Sequence, residues 1–91
     1  MARRSSNSRS WPDWWDWELE LTPHLEQRME ERDFAEVDVR EMLEAAIAFQ
    51  PDVVESRFVV ECPLRGRRWH VIVEPDPEES LLVVVTAYRV G

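Results

Sequence analysis

The fold is decided by the sequence Arg65-Gly66-Arg67-Arg68-Trp69-His70-Val71-Ile72-Val73-Glu74-Pro75, a short acidic turn, and then Leu81-Leu82-Val83-Val84-Val85-Thr86-Ala87-Tyr88. Both segments are rich in β-branched residues, so they predict two consecutive β-strands. The strands also carry polar side chains that can take part in chemistry, namely Arg68, His70, Glu74, Thr86 and Tyr88. This combination predicts a functional site on one sheet face in addition to a core.

Alternation of apolar and polar residues continues outward from these strands towards the N-terminus. Residues 53–62 alternate and predict the preceding strand, with Arg65-Gly66-Arg67 as the hairpin turn. Residues 17–21 alternate tryptophan or leucine with glutamate and predict the first strand. The three C-terminal strands are therefore expected to form an antiparallel meander, and the first strand is expected to join one of its edges.

Two helices are predicted between the first and second strands. Thr22-Pro23 supplies an N-cap followed by proline at the first helical position, and this helix should run to about Arg32. A second helix is predicted from about Glu36 to Phe49, where Pro51 stops it. The predicted fold is α+β, with two N-terminal helices packed on one face of a four-stranded antiparallel sheet in the order β-α-α-β-β-β.

The sheet face away from the helices is expected to be at least partly open. In the strand after the turn, Trp69, Val71 and Val73 make the better core, which leaves His70 and Glu74 on the open face. The last strand is apolar on both sides, so alternation alone does not say which side faces the helices. Alternation divides it into two groups, Leu81, Val83, Val85 and Ala87 against Leu82, Val84, Thr86 and Tyr88.

Length and charge limit the classes of protein to which the chain can belong. Its 91 residues suffice for one domain. With 19 acidic residues against 11 arginines the net charge is −8, which opposes generic binding to nucleic acid, because counterion release needs clustered cations. Residues 57–74 are the exception, since they carry four arginines against two glutamates. A local arginine patch on this strand pair can still hold phosphate.

Further features of the sequence bear on location and on the N-terminus. The single cysteine, Cys62, cannot form an intramolecular disulfide, and no basic-then-apolar leader opens the chain, so a cytoplasmic protein is expected. No apolar run approaches the ~20 residues that span a bilayer, so no membrane partner is expected. Residues 1–10 predict a disordered arm and residues 11–91 a single domain. Residues 11–17 hold four tryptophans, which either enter and cover the core or form a partner-docking surface.

Several parts of the chain together resemble a known family. They are the helix motif His24-x3-Arg28-Met29-x2-Arg32, the stretch Gly66-Arg67-Arg68-Trp69-His70 and the ending Val84-Val85-Thr86-Ala87-Tyr88. Residues 17–90 thereby resemble the DUF4258 family of uncharacterised bacterial domains, which is grouped with the RelE-like toxins and, more broadly, with metal-independent ribonucleases of the BECR type. The resemblance implies a ribonuclease-like fold, toxin-type cleavage of RNA and a cognate antitoxin protein. An exposed strand edge would then serve homo-oligomerisation.

The resemblance also implies roles for individual residues. His24 and Arg28 match the first-helix pair of the family. Arg67 matches the basic residue after the turn glycine, and Thr86 with Tyr88 matches the pair on the last strand.

The chemistry of metal-free RNA cleavage selects similar residues. It needs a base for the ribose 2′-OH, an acid for the departing 5′-oxygen and a fixed cation for the phosphate. Imidazole titrates near neutral pH, so His24 and His70 are the candidates for base and acid. Arg28 and Arg67 would hold the phosphate, and Tyr88 would stack on a nucleobase or donate its proton. The predicted catalytic residues are His24, Arg28, Arg67, His70, Thr86 and Tyr88, and the predicted substrate contacts are Arg32, Arg57 and Arg68.

Ordinary structural roles remain open for the same residues. His24 can simply occupy a helix start, His70 can be an exposed strand residue, and the arginines can pair with neighbouring acids. The alternative function is a non-catalytic interaction module that binds a protein partner through its acidic helices and tryptophans. Convergence of histidines and arginines in one cleft would favour the enzyme, whereas an exposed aromatic patch would favour the module.

Other kinds of site have little support. Cys62 stands alone and the two histidines are far apart in sequence, so no zinc-ligand spacing is present. Gly66 and Gly91 are the only glycines, so there is no glycine-rich phosphate loop. No metal or cofactor is therefore expected. A lone cysteine inside an alternating strand is usually a small buried hydrophobe, which disfavours Cys62 as a nucleophile.

Overall fold

The computed structural model describes residues 12–90, so the predicted arm of residues 1–10 and Trp11 lie outside the described residues. A 3₁₀ turn at Asp13–Asp16 comes first. Five strands and two helices follow in the order β1 (Glu18–Leu21), α1 (Pro23–Arg32), α2 (Glu36–Glu44), β2 (Ala48–Pro51), β3 (Phe58–Leu64), β4 (Arg67–Asp76) and β5 (Leu81–Arg89).

The five strands form one mixed sheet in the order β1-β5-β4-β3-β2. Strands β2 to β5 are antiparallel in succession, and β1 lies parallel to β5 at one edge. The α+β class is as predicted, but the prediction of four antiparallel strands in the order β-α-α-β-β-β is wrong. One strand was missed, and the first strand is parallel to its neighbour. No hairpin joins β1 to β5, and a hairpin is what obliges neighbouring strands to be antiparallel.

The missed strand, β2, takes the place of the end of the predicted second helix. α2 ends at Glu44 rather than at Phe49. The Ile47 N–H then donates to the Glu61 carbonyl of β3 at 2.9 Å. In a longer helix these backbone groups would form hydrogen bonds within the helix. Here they bond to β3 instead, which is why the helical prediction fails for this segment.

The strand predicted over residues 53–62 is displaced towards the C-terminus, because β3 covers Phe58–Leu64. The Asp52 N–H donates to the Arg57 carbonyl at 2.9 Å and closes a loop in front of β3. Ser56 within that loop has a φ of 73°, in the left-handed region. An extended chain does not pass through that region, so the strand cannot begin earlier.

The predicted hairpin turn between β3 and β4 is confirmed. Its two central residues, Arg65 and Gly66, have φ values of 53° and 76°, as a type I′ turn requires. The Arg65 guanidinium lies 3.0 Å from Oδ1 of Asp38 in α2. Oδ2 of Asp38 accepts the Ala35 N–H at 2.8 Å at the start of the same helix. The hairpin is thereby tied to the beginning of α2.

Helix α1 begins and ends where the sequence predicts. The Thr22 hydroxyl accepts the Leu25 N–H at 3.1 Å as the N-cap and donates to the Val85 carbonyl of β5 at 2.8 Å. Pro23 occupies the first helical position, and Asp33 ends the helix with a φ of 59°. Thr22 therefore connects the start of the helix to the middle of β5.

Both helices pack on the same face of the sheet, which we call the helix side. Trp69, Val71 and Val73 of β4 face this side, as alternation predicts. Burial of an aliphatic side chain contributes about 1.5–3 kcal/mol, so this single layer is the main source of stability. Fully buried side chains in it are Leu25, Val39, Met42, Leu43, Val60, Val71, Val73, Leu82 and Val84.

The tryptophan-rich segment completes this core. Trp15 is only 2% exposed. The Trp14 ring lies 5.0 Å from that of Phe58 and 5.9 Å from that of Phe49, between ring centroids. These tryptophans belong to a 3₁₀ turn rather than to the start of β1, because β1 begins at Glu18. Their packing favours the core interpretation over the docking surface.

Candidate active site

The sheet face opposite the helices carries the polar residues of β4. Trp69 and Val71 are buried on the helix side, so the alternation of the strand turns His70 to the other face. We call this the open face, because both helices lie on the other side of the sheet. His70 is half-buried there.

His70 lies at the centre of a row of three side chains on three adjacent strands. Glu61 of β3 is its direct neighbour on one side, and Tyr88 of β5 is its direct neighbour on the other. The ring centroids of His70 and Tyr88 are 5.6 Å apart, with the planes inclined by 53°. Directly opposed residues of antiparallel strands have Cβ atoms ~4.5–5.5 Å apart, so the Glu61 and His70 side chains leave the sheet side by side. The row brings together a carboxylate, an imidazole and a phenol.

Arg68 extends this row towards the hairpin. Its Nε lies 3.2 Å from Oε2 of Glu61, diagonally across the β3–β4 pair. The guanidinium side chain is 64% exposed and the carboxylate side chain 30% exposed. Solvent therefore limits the pair to roughly 1 kcal/mol or less. An arginine bound this weakly can exchange its carboxylate partner for a phosphate at small cost.

A β-bulge in β5 determines which residues of the last strand share the open face. Ile72 pairs with Thr86, but its successor Val73 pairs with Val84. Val85 is therefore an extra residue without a counterpart on β4. Because of this one extra residue, the side chains after Val85 point to the opposite face from the one that uninterrupted alternation would give them.

The bulge corrects the sequence-based grouping of this strand. Leu82, Val84 and Ala87 are all buried on the helix side, although alternation alone put Ala87 in the opposite group. Thr86 and Tyr88 lie on the open face, although alternation alone grouped them with Leu82 and Val84. The bulge therefore lets β5 keep apolar residues on the helix side along its whole length while Thr86 and Tyr88 lie on the open face.

Three of the predicted site residues lie on α1 and not on the open face. α1 packs on the helix side through Leu25, which is fully buried. His24 and Arg32 are exposed, and Arg28 is half-buried. The sheet separates His24 from His70, so the structure does not bring the two histidines together.

The other two predicted arginines lie apart from the row. Arg67 has the same parity along β4 as Trp69, so it turns to the helix side, where its side chain is exposed. The Nε of Arg57 lies 2.9 Å from Oε1 of Glu74, towards the end of the open face far from the hairpin. The structure therefore places neither arginine beside His70.

Sequence reasoning found part of the open-face cluster and missed one member. The predicted residues that lie together are Arg68, His70, Thr86 and Tyr88. Glu61 was not predicted, although a signal for it was present. It stands four residues before Arg65, and His70 stands four residues after Gly66, so a two-residue hairpin turn pairs them.

A small cavity adjoins the row. It has a volume of about 70 Å³ and lies between β2 and β4. Sequence patterns did not indicate this cavity, because its outer wall includes Ala48 and Phe49, which were predicted as the end of a helix. Its lining residues are Ala48, Phe49, Gln50, Val59, Glu61 and His70.

Cys62 takes no part in the open face, because it is buried on the helix side of β3. Burial, assisted by the nearby Glu61 charge, raises the pKa of its thiol from 9.0 to about 12. The thiol is therefore protonated at neutral pH and is a poor nucleophile. Within residues 12–90, no three His, Cys, Asp or Glu side chains are grouped in a way that could hold a metal ion.

Two helices on one side of a mixed sheet and a polar row on the other define a small α+β domain whose candidate site lies on a sheet surface. A family profile described as Domain of unknown function (DUF4258) matches residues 21–89, and the chain belongs to this family. No curated protein and no solved structure matches the chain. In the described part of the chain, neither helix has the length and apolar composition needed to cross a membrane.

Proposed function

We propose that this domain is a toxin-type, metal-independent endoribonuclease that cleaves RNA through attack of a ribose 2′-OH on the adjacent phosphate. The observation that carries the proposal is the row of Glu61, His70 and Tyr88 on the open face, with Arg68 paired to Glu61. A carboxylate and an imidazole on neighbouring strands supply the base and the acid of this reaction. The resemblance to RelE-like toxins and BECR-type ribonucleases supports the same activity.

In this mechanism Glu61 is the base and His70 is the acid. Glu61 takes the proton of the 2′-OH, and O2′ forms a bond to phosphorus. The bond from phosphorus to O5′ breaks as His70 protonates the leaving oxygen. The products are a 2′,3′-cyclic phosphate and a 5′-hydroxyl. Two groups held on adjacent strands can flank one phosphate and so remove much of the entropic barrier.

The other members of the cluster bind the substrate. Arg68 leaves Glu61 for the phosphate and stabilises the negative charge of the transition state. Tyr88 is 40% exposed beside His70 and offers a ring on which a nucleobase stacks. The Thr86 hydroxyl lies one pair further along the same face and can bond to a ribose or phosphate oxygen.

The acidic charge of the chain bears on how RNA reaches this face. A net charge of −8 repels a polyanion over long distances, and Arg57 is already paired with Glu74. Association with RNA would be slow and would be held by few phosphate contacts. The proposal includes a cytoplasmic RNA substrate and a cognate antitoxin protein, and homo-oligomerisation stays a prediction.

A second candidate is the non-catalytic interaction module. It is favoured by the separation of His24 and Arg28 from His70, which leaves no single cleft that holds both histidines. Because Trp15 is buried and Trp14 packs on phenylalanine rings, the docking surface would be the acidic outer sides of α1 and α2. Such a module would bind a basic partner and would not cleave RNA.

Cleavage of a fluorescent single-stranded RNA by the purified domain in EDTA tests the proposal. The parent should give products that end in a 2′,3′-cyclic phosphate. Glu61→Gln and His70→Asn should each lower kcat by about a hundredfold or more. Glu79→Gln is the matched control for Glu61→Gln, because Glu79 lies in the exposed turn before β5. It should cleave like the parent.

A His24→Asn variant distinguishes the open-face assignment from the assignment on α1. The open-face mechanism predicts that it keeps most of its activity. Loss of cleavage in His24→Asn together with full activity in His70→Asn would refute the roles of Glu61 and His70. If the folded parent leaves RNA intact, the interaction module becomes the better account, and binding to a basic partner is the property to measure.

A further inference from the structure

The hairpin end of the sheet carries two arginines that the cleavage chemistry does not use. Arg67 is the first residue of β4, and Arg89 is the last residue of β5. Arg89 lies directly opposite Trp69, which follows Arg67 on the same side of β4, so both arginines turn to the helix side at the rim of the sheet. Both are exposed there. Diagonal neighbours of this kind are ~7–8 Å apart, within reach of long side chains, so both guanidinium groups can contact one anion.

Neither arginine is neutralised by the domain. Within residues 12–90, no carboxylate lies within salt-bridge distance of either guanidinium group, and neither group donates a hydrogen bond. Arg65 in the adjacent turn differs, because it is paired with Asp38. Like charges that neighbour each other across a strand pair destabilise a sheet. A bound anion would remove this repulsion through charge-assisted hydrogen bonds, so the pair favours an anionic ligand.

The other end of the same strands carries the opposite charge. The turn between β4 and β5 holds Asp76, Glu78 and Glu79. β4 has 10 residues, so these carboxylates lie roughly 30 Å along the strand from Arg67. That separation exceeds the Debye length of ~8 Å at physiological ionic strength, so the carboxylates do not cancel the positive potential at the hairpin end. A polyanion that approaches the domain is therefore repelled from the turn and attracted to the two arginines.

We propose that Arg67 and Arg89 bind an RNA phosphate adjacent to the scissile one, so that the strand passes around the hairpin end of the sheet. The inference rests on the proposed ribonuclease function. Arg67 and His70 are three residues apart on β4, which places their Cα atoms roughly 10 Å apart. The extended backbone of single-stranded RNA spans this distance between neighbouring phosphates when long arginine side chains reach towards it. Arg68, between them on the open face, holds the scissile phosphate.

Binding of a non-cleavable RNA tests the inference. A fluorescein-labelled 2′-O-methyl oligonucleotide has the phosphates but lacks the attacking 2′-OH, so its anisotropy measures binding alone. Arg67→Gln and Arg89→Gln should each weaken binding about three- to fivefold at low salt. Each should also reduce the slope of log K against log salt concentration by about 0.7. Arg40→Gln is the matched control, because it removes the same charge from an exposed position on α2. It should bind with the slope of the parent.

Three outcomes of this measurement would overturn the proposal. The first is an unchanged salt slope in both Arg67→Gln and Arg89→Gln. The second is absence of binding by the folded parent at low salt. The third is binding of poly-L-glutamate more tightly than RNA through the same two arginines, because the site would then fit an acidic protein segment rather than a phosphate chain.

A kinetic comparison separates this site from the cleavage chemistry. A dinucleoside monophosphate contains only the scissile phosphate, whereas a tetranucleotide has neighbouring phosphates as well. Arg67→Gln should raise KM for the tetranucleotide with little change in kcat, and the effect on the dinucleoside monophosphate should be much smaller. Equal effects on both substrates would contradict a neighbouring-phosphate site even if RNA is cleaved. If the parent does not cleave RNA, the binding measurement still decides whether the site exists, because its probe needs no 2′-OH.

Discussion

Replacement of Thr22 by valine should destabilise the domain by about 2 kcal/mol. The Thr22 hydroxyl makes two hydrogen bonds, one from the Leu25 N–H at 3.1 Å and one to the Val85 carbonyl at 2.8 Å. Valine keeps the shape of threonine but lacks the hydroxyl, so the change removes both bonds and little packing. The first bond caps α1, and the second holds the helix start against the bulge of β5.

The magnitude is the sum of two contributions. Loss of a side-chain N-cap costs typically ~1 kcal/mol. Loss of a hydrogen bond between a hydroxyl and a backbone carbonyl costs about 1 kcal/mol more. In a domain of this size, ~1 kcal/mol corresponds to a change in Tm of roughly 4–8 °C, so the expected decrease for Thr22→Val is roughly 8–16 °C.

Urea unfolding followed by tryptophan fluorescence measures this change, because Trp15 is buried in the native core. Thr22→Ser keeps the hydroxyl and should stay within about 0.5 kcal/mol of the parent. A free energy of unfolding for Thr22→Val within that same margin would refute the reasoning. Equal losses in the valine and serine variants would show that the methyl group, and not the hydroxyl, stabilises this junction.

Two further predictions concern stability. Burial raises the pKa of the Cys62 thiol from 9.0 to about 12, so between these values the unfolded chain binds fewer protons than the folded one. The free energy of unfolding should therefore fall by up to ~1.4 kcal/mol per pH unit above about pH 9, and urea unfolding of Cys62→Ala should lack this contribution. Gly66→Ala should cost about 1 kcal/mol, because the φ of 76° disfavours a side chain although no atom lies within 4 Å of the added Cβ. Gly66→Asn should cost less in the same assay, and equal losses would contradict a conformational cause.

The sequence contained enough local information to predict α1 but not β2. Thr22-Pro23 marks the helix start through a hydrogen bond formed within four residues, so the rest of the chain does not matter. Residues 48–51 have no such local signal and form a strand because β3 lies beside them. The parallel pairing of β1 with β5 could not be predicted for the same reason, because residues 81–84 are remote in sequence from β1.

The candidate site, like the fold, could be predicted from the sequence only in part. His70 could be placed on the face away from the helices, because the alternation of Trp69, Val71 and Val73 along its strand is a local feature. The bulge at Val85 depends on how two strands fit together, so the grouping of the last strand was wrong. His24 entered the prediction through a family resemblance, and packing of the helix places it across the sheet from His70.

The pairing of β1 with β5 has a consequence for how the chain folds during synthesis. Leu19 and Leu21 pack only after residues 81–84 have been made, because those residues supply their neighbouring strand. Such a long-range closure is slow, since chain entropy is lost before the contact is gained. A nascent chain therefore exposes apolar surface until its last strand leaves the ribosome. A premature stop before Leu81 would leave β4 as an unprotected edge, and the truncated product would be prone to aggregation and proteolysis.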